Sequence, residues 1–214
     1  MLGTDPGTGA QGAAVALLDE HDLPAGPLDF ARTLGLAGPL DIDVGFGKGR
    51  SLVEWAAHGF GGGLLGVEVR RSFAQFAAGR LARVGAVGVR IVRGDFRALA
   101  VRLGPSGAVR RFFFHFPDPW WKKKHLKRQV VSAPVLAEVV RLLAPGGEVF
   151  VQTDVPERAA EFRAAFAAAG LEEVHVSDGV GGENPLGVRS NREIRCAEAG
   201  LPVWRMVVRK GRNR

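Results

Sequence analysis

Residues 40–56, LDIDVGFGKGRSLVEWA, set the narrowest limit on what this chain folds into. LDIDVGF alternates apolar and acidic residues like a strand. GKGR follows at once, and Leu52, Val53, Trp55 and Ala56 then recur at helical spacing. A strand joined to a helix by a glycine loop opens a βαβ unit, and the pattern repeats. LLGVEV (64–69) reads as a second strand. In SFAQFAAGRLARVG (72–85), Phe73, Phe76, Ala77, Leu81 and Val84 fall on one helical face, with Gly85 as the stop. VRIVRGDF (89–96) and RRFFFHF (110–116) are the third and fourth strands, and residues 129–143 form a helix that ends at PGG. EVFVQTDV (148–155) is the fifth strand, and ERAAEFRAAFAAAG (157–170) is an alanine-rich helix. LEEVHVSD (171–178) and VWRMVVRK (203–210) close the sheet around a polar, Gly-rich loop. The expected fold is therefore α/β, doubly wound, on a mostly parallel seven-stranded sheet. In such a sheet ligands bind beyond the carboxyl ends of the strands.

Residues 1–38, rich in Gly, Ala, Asp and Pro, read as an irregular lead-in to one domain over 39–214. Cys196 is the only cysteine, which excludes an intramolecular disulfide and a cysteine-rich zinc site; the five histidines lack ligand spacing, and no metal is expected. No run nears the roughly 20 apolar residues that cross a bilayer. The first residues lack the basic start and apolar stretch of a signal peptide, so a cytoplasmic protein is expected. Lys and Arg exceed Asp and Glu by 29 to 22, a net charge of +7. That balance favours an anionic partner, of which nucleic acid is the commonest for a basic domain.

The glycine loop narrows the cofactor. A dinucleotide fingerprint needs Gly at position 50, where Arg50 stands; a P-loop needs Ser or Thr after Gly-Lys, where Gly49 stands. The pattern left, Gly45-x-Gly47-x-Gly49, is the form used for S-adenosylmethionine, which has no pyrophosphate to seat. Glu68 ends the second strand, where a carboxylate accepts hydrogen bonds from both ribose hydroxyls. Asp95 ends the third, placed to accept from an adenine amino group. Asp43 precedes the loop and faces the cofactor's cationic end. Any one of these acids alone is equally a solvated strand-end residue or a helix cap. Three at successive strand ends beside a glycine loop point to a nucleoside cofactor.

FHFPDPWWKKKHLKRQ (114–129) follows the fourth strand at the same rim. Pro117 and Pro119 restrict the backbone on both sides of Asp118. Lys122, Lys123, Lys124, Lys127 and Arg128 form a phosphate-binding patch, and Trp120 and Trp121 pack under it or stack on bases. The bland alternative is a core Trp followed by a solvated basic helix start. A fixed acid beside cations and aromatics suits RNA.

FPDPWWKKKH resembles the signature of the tRNA (guanine-N7)-methyltransferases. The resemblance runs from about Asp43 to the C-terminus. It takes in DVGFGKG, where the family's loop usually begins with Glu, then GVEV and GDF. It includes Thr153-Asp154, with Val155 where Trp is common, and SNREIR, with Ser190 in place of Thr and with Glu193 and Arg195 in register. It implies a Rossmann-like class I methyltransferase fold. It implies that Asp43, Glu68 and Asp95 bind S-adenosylmethionine with the glycine loop, that Asp118 is the catalytic acid, and that Lys122, Asp154, Ser190, Glu193 and Arg195 belong to the substrate site. It further implies that tRNA is the substrate, modified at a variable-loop guanine by a monomer or homodimer without an obligatory protein partner. Taken alone, Asp154 is as readily a cap for the helix near Pro156, and Glu193 a surface loop residue. A methyltransferase acting on another RNA, or an RNA-binding protein without catalysis, would share the same fold.

Overall fold

The computed structural model describes residues 15–117, 129–177, 179 and 182–212. The chain opens with β1 (Ala16–Asp19), β2 (Leu28–Asp29) and β3 (Leu40–Val44), then α1 (Arg50–His58). β4 (Gly63–Glu68) leads to α2 (Arg71–Arg83), and β5 (Val89–Arg93) leads to the single-turn α3 (Phe96–Leu99). Beyond β6 (Leu103–Gly104) come β7 (Val109–His115), α4 (Ala133–Leu142), β8 (Leu143–Thr153) and α5 (Pro156–Ala168). β9 (Leu171–Ser177), α6 (Asn191–Glu198) and β10 (Trp204–Lys210) complete it. The main sheet has the order β1-β5-β4-β3-β7-β8-β10-β9, while β2 and β6 form a two-stranded sheet of their own. β10 runs antiparallel to β8 and β9, and every other pair in the main sheet is parallel.

The path of the chain reverses between β3 and β7: β4 and β5 add on one side, β7 and β8 on the other. A crevice therefore opens at the carboxyl ends of β3 and β7. All five residues of β3 are buried, as a central parallel strand requires. Alternation along β7 splits its three phenylalanines between the two faces. Phe113 joins Phe46, Leu52, Trp55, Ala77, Leu81 and Phe150 beneath α1 and α2. Phe112 and Phe114 join Leu136, Val139, Phe162 and Phe166 beneath α4 and α5. Each such ring contributes about 1.5–3 kcal/mol by leaving water. The same core takes in Leu28, Phe30 and Leu34 from the N-terminal segment.

Asp41 is a buried acid on β3 with a structural role. It accepts from Trp55 Nε1 at 2.7 Å and from Arg110 Nε and Nη2 at 2.9 and 2.6 Å. That pairing lies toward the amino end of the strand, away from the crevice.

The doubly wound, mostly parallel sheet is as the periodicity implies, with three differences. The sheet has eight strands rather than seven. The eighth is β1, inside the segment expected to be irregular; it is half-exposed and gains its hydrogen bonds by pairing with β5 along Leu17–Ile91 and Leu18–Val92. α6 occupies part of the stretch read as a loop. On α2, Ala77 and Leu81 are buried with Ala74, whereas Phe76, and Val84 at the helix's C-cap, stand 48% and 57% exposed. The small Ala74 and Ala77 let the helix lie close to the sheet, which turns the flanking bulky residues outward. Among the described residues no helix is long and apolar enough to cross a membrane.

Candidate active site

Gly45, Gly47 and Gly49 all adopt positive φ, at 73°, 61° and 71°. The need is steric at Gly49, where an added Cβ would lie 2.4 Å from the Cβ of Ala77. α1 thus starts pressed against α2. The loop is tied to the sheet at two points: Gly45 N–H donates to the Val67 carbonyl at 2.8 Å, and Gly47 N–H donates to Glu68 Oε2 at 2.9 Å. Glu68 Oε1 accepts from Arg70 N–H at 2.9 Å and from Arg70 Nε at 3.1 Å. A carboxylate has about four acceptor positions, so Glu68 keeps capacity for ribose hydroxyls while holding the loop.

Asp43 lies under this loop, 2% exposed. Ser51 Oγ, in the first turn of α1, donates to its Oδ2. Its Oδ1 is buried with no partner. Burial, reinforced by the nearby Glu68 charge, pushes the carboxyl pKa up to about 7, against the pull of the Ser51 hydrogen bond. A buried carboxylate oxygen without a donor is costly. The arrangement fits a bound cation such as the ammonium of S-adenosylmethionine.

Asp95 caps α3 by accepting from Arg97 N–H at 3.0 Å, and Arg97 also grips it through Nε and Nη2. The Arg97 guanidinium holds this carboxyl below its usual range. The Asp95 N–H donates to Glu20 Oε2 at 2.9 Å. A Cβ on Gly94 would approach that same oxygen to 2.6 Å. Glu20 therefore reaches the third-strand end from the N-terminal segment, a contribution no sequence signal announced.

On the substrate side, Asp118 and Lys122 lie outside the described residues, as do Trp120, Trp121 and the remaining cations up to Arg128. What leads into them is defined. β7 ends at His115, Phe116 has φ 53°, and the Phe116 N–H donates to the Gln152 carbonyl at 2.8 Å.

Asp154 follows β8 and is paired with Arg192 of α6, whose Nε lies 2.9 Å from Oδ2. Ser190 and Glu193 form a capping box at the start of α6, each side chain taking the other's backbone N–H. Glu193 is buried and ion-paired with Arg205 at 3.0 Å. It also accepts from Asn184 Nδ2 at 3.1 Å and from Gln152 Nε2 at 2.9 Å. α6 thus brings Ser190 and Glu193 to the end of β8 beside Asp154, while Arg195 is exposed on the same helix. His115, Gln152, Asn184 and Arg205 escaped notice in the sequence. The one available signal was the isolated polar residue in FFFHF and its counterpart in VFVQT.

A family model described as "Putative methyltransferase" matches residues 37–206. The tRNA (guanine-N(7)-)-methyltransferase of Synechococcus sp. (strain JA-2-3B'a(2-13)) is 33% identical over 190 residues, covering 87% of this chain and 78% of that protein. The protein of the same name from Anaeromyxobacter dehalogenans (strain 2CP-C) is 37% identical over 184 residues, covering 83% of this chain and 89% of that one. Among solved structures, the 16S rRNA methyltransferase KamB superposes with a TM-score of 0.60 at 17% identity, over 81% of this chain and 88% of that one, a likeness of fold. With glycine loop, strand-end acids and the Ser190–Glu193 box all inside the matched span, the chain belongs to the tRNA (guanine-N7)-methyltransferase family.

Proposed function

We propose that this protein transfers the methyl group of S-adenosylmethionine to N7 of a guanine in tRNA, in the variable loop. The observation that carries the proposal is Asp43. A buried carboxylate with one orphaned oxygen beneath a glycine loop, one strand from the segment that leads to Asp118, is the pairing a cationic methyl donor and an adjacent acceptor base require. S-adenosylmethionine supplies an electrophilic methyl on a sulfonium. Asp43 holds the ammonium end, the glycine loop with Glu68 holds the ribose, and Asp95 takes the adenine amino group.

Guanine N7 carries a lone pair and no proton, so the reaction calls for position and charge rather than a strong base. Positive charge passes from sulfur to the purine as the new bond forms. A fixed carboxylate stabilises that charge most in a water-poor site. Asp118 is assigned that role. Asp154 is assigned to holding the base, Ser190 and Glu193 to fixing the start of α6 and the Gln152 amide at the substrate site, and Lys122 with Arg195 to the phosphates. The protein acts in the cytoplasm, as a monomer or homodimer, with no obligatory protein partner.

The test is methyl transfer from labelled cofactor to unmodified tRNA transcripts, followed by cleavage at 7-methylguanine. One cleavage in the variable loop, lost when that guanine is replaced, is the expected result. Cofactor binding without tRNA methylation redirects the search to other RNAs.

A further inference from the structure

His115 is 7% exposed and its pKa is driven down to about 3 by burial, so the ring is neutral and one nitrogen carries its proton. The surrounding groups decide which. Glu193 Oε2 only accepts, and it lies 2.9 Å from Gln152 Nε2. The Gln152 amide is thereby oriented with its NH2 toward Glu193, and the second hydrogen of that NH2 meets His115 Nδ1 at 2.8 Å. Nδ1 is therefore the acceptor, and the proton sits on Nε2. That Nε2–H is buried without a partner, and the freed Gln152 Oε1 is buried without one too.

The position is as telling as the tautomer. Asp43 pairs in register with Phe113, and His115, two residues on, is the next β7 side chain on that face. It stacks on Phe113 at a centroid distance of 5.8 Å. Immediately after it the chain turns at Phe116 into the segment that carries Asp118. His115 is thus the last side chain on the cofactor face before that segment, and it presents a donor with nothing to donate to.

We propose that His115 Nε2–H donates to O6 of the target guanine, making it a specificity-determining residue for the reaction. The inference rests on the function proposed above. O6 is the acceptor beside N7 on the purine edge, so a donor fixed on O6 also sets the position of N7. Adenine presents an amino group there, which would meet the N–H donor to donor.

The experiment compares tRNA carrying guanine or 2-aminopurine at the target position. The analogue keeps N7 and the 2-amino group but lacks O6. His115→Phe keeps the shape and stacking without the donor. The wild-type preference in kcat/KM for guanine over 2-aminopurine should fall by roughly 10- to 100-fold in the variant, with unchanged affinity for S-adenosylmethionine. Inosine, which keeps O6 and loses the 2-amino group, should show no such coupling. A preference unchanged by His115→Phe overturns the inference, as does a variant whose loss lies in cofactor affinity. The intact enzyme supplies a check independent of folding in the variant. Imidazole ¹⁵N spectra of the cofactor-bound protein should show the Nε2–H tautomer, with a shift at Nε2 when tRNA is added; the opposite tautomer, or no shift, overturns it. If wild-type enzyme binds cofactor and methylates no tRNA, the underlying functional reading fails first and this inference goes with it.

Discussion

The Gly47 N–H and the Glu68 carboxylate, 21 residues apart, are joined at 2.9 Å. Through that bond the acid at the end of β4 shapes the loop at the end of β3. Glu68→Ala removes the tether along with the proposed ribose contacts. It should weaken S-adenosylmethionine binding by roughly 10- to 100-fold, about 1.5–3 kcal/mol for hydrogen bonds to a charged group. Calorimetric titration checks this. An unaltered affinity would mean that the ribose is held elsewhere.

Asp43 makes stability depend on pH in an uncommon direction. Its carboxyl is raised from 3.8 to about 7 in the folded protein, so the folded state keeps a proton that the unfolded chain releases. The stabilising linkage is fully present below about 4, is lost as pH rises toward 7, and stays lost above it. Asp43→Asn should abolish that decline, raising the melting temperature at pH 8 by about 5 °C or more with little change at pH 4. It should also weaken cofactor binding, because the amide offers no charge to an ammonium. Melting curves across that range, with and without cofactor, separate the two effects.

Gly49→Ala forces a Cβ to within 2.4 Å of Ala77 Cβ at a φ of 71°. The combined strain should cost about 2–4 kcal/mol. Adding Ala77→Gly removes the worst of the clash, leaving a 3.1 Å approach to the Cα of residue 77 and the φ penalty. The double variant should therefore be less destabilised than the sum of the singles, as denaturant midpoints will show.

The Glu193–Arg205 pair joins side chains only 5% and 8% exposed. Glu193→Ala leaves Arg205 charged and buried, at a cost of about 3–5 kcal/mol. It also undoes the α6 capping box and the orientation of Gln152. A raised KM for tRNA should accompany the loss of stability. Removing both partners should cost less than the two single losses together, which a double-mutant cycle in urea measures.

The central strands were readable because β3, β4, β5 and β7 are short, apolar-rich segments set between glycine turns, and acids near the carboxyl ends of β3, β4 and β5 (Asp43, Glu68 and Asp95, though not Asp41) mark the ligand side. The Ser190–Glu193 box was readable as a short motif, yet the segment passed for a loop. α6 is polar, burying only Glu193 and Cys196, so it has no apolar stripe to show at helical spacing. β1 escaped for a related reason. Four residues from Ala16 to Asp19 carry too little pattern, and β5 supplies the order by offering an edge to pair with.

By itself the sequence determined the alternation of strands and helices, the glycine loop with its three acids, and the basic segment after β7, because these depend on local spacing and on residue chemistry. Only the tertiary structure decided how these parts act on one another. Asp41 and Asp43 share one strand and look alike in LDIDV. Asp41 is ion-paired with Arg110 and hydrogen-bonded by Trp55, while Asp43 keeps an oxygen with no partner. The His115 tautomer likewise follows from Glu193, far along the chain, through the amide of Gln152. Charge state and hydrogen-bond direction in a buried site are set by neighbours in space, and those neighbours are brought together only when the sheet forms.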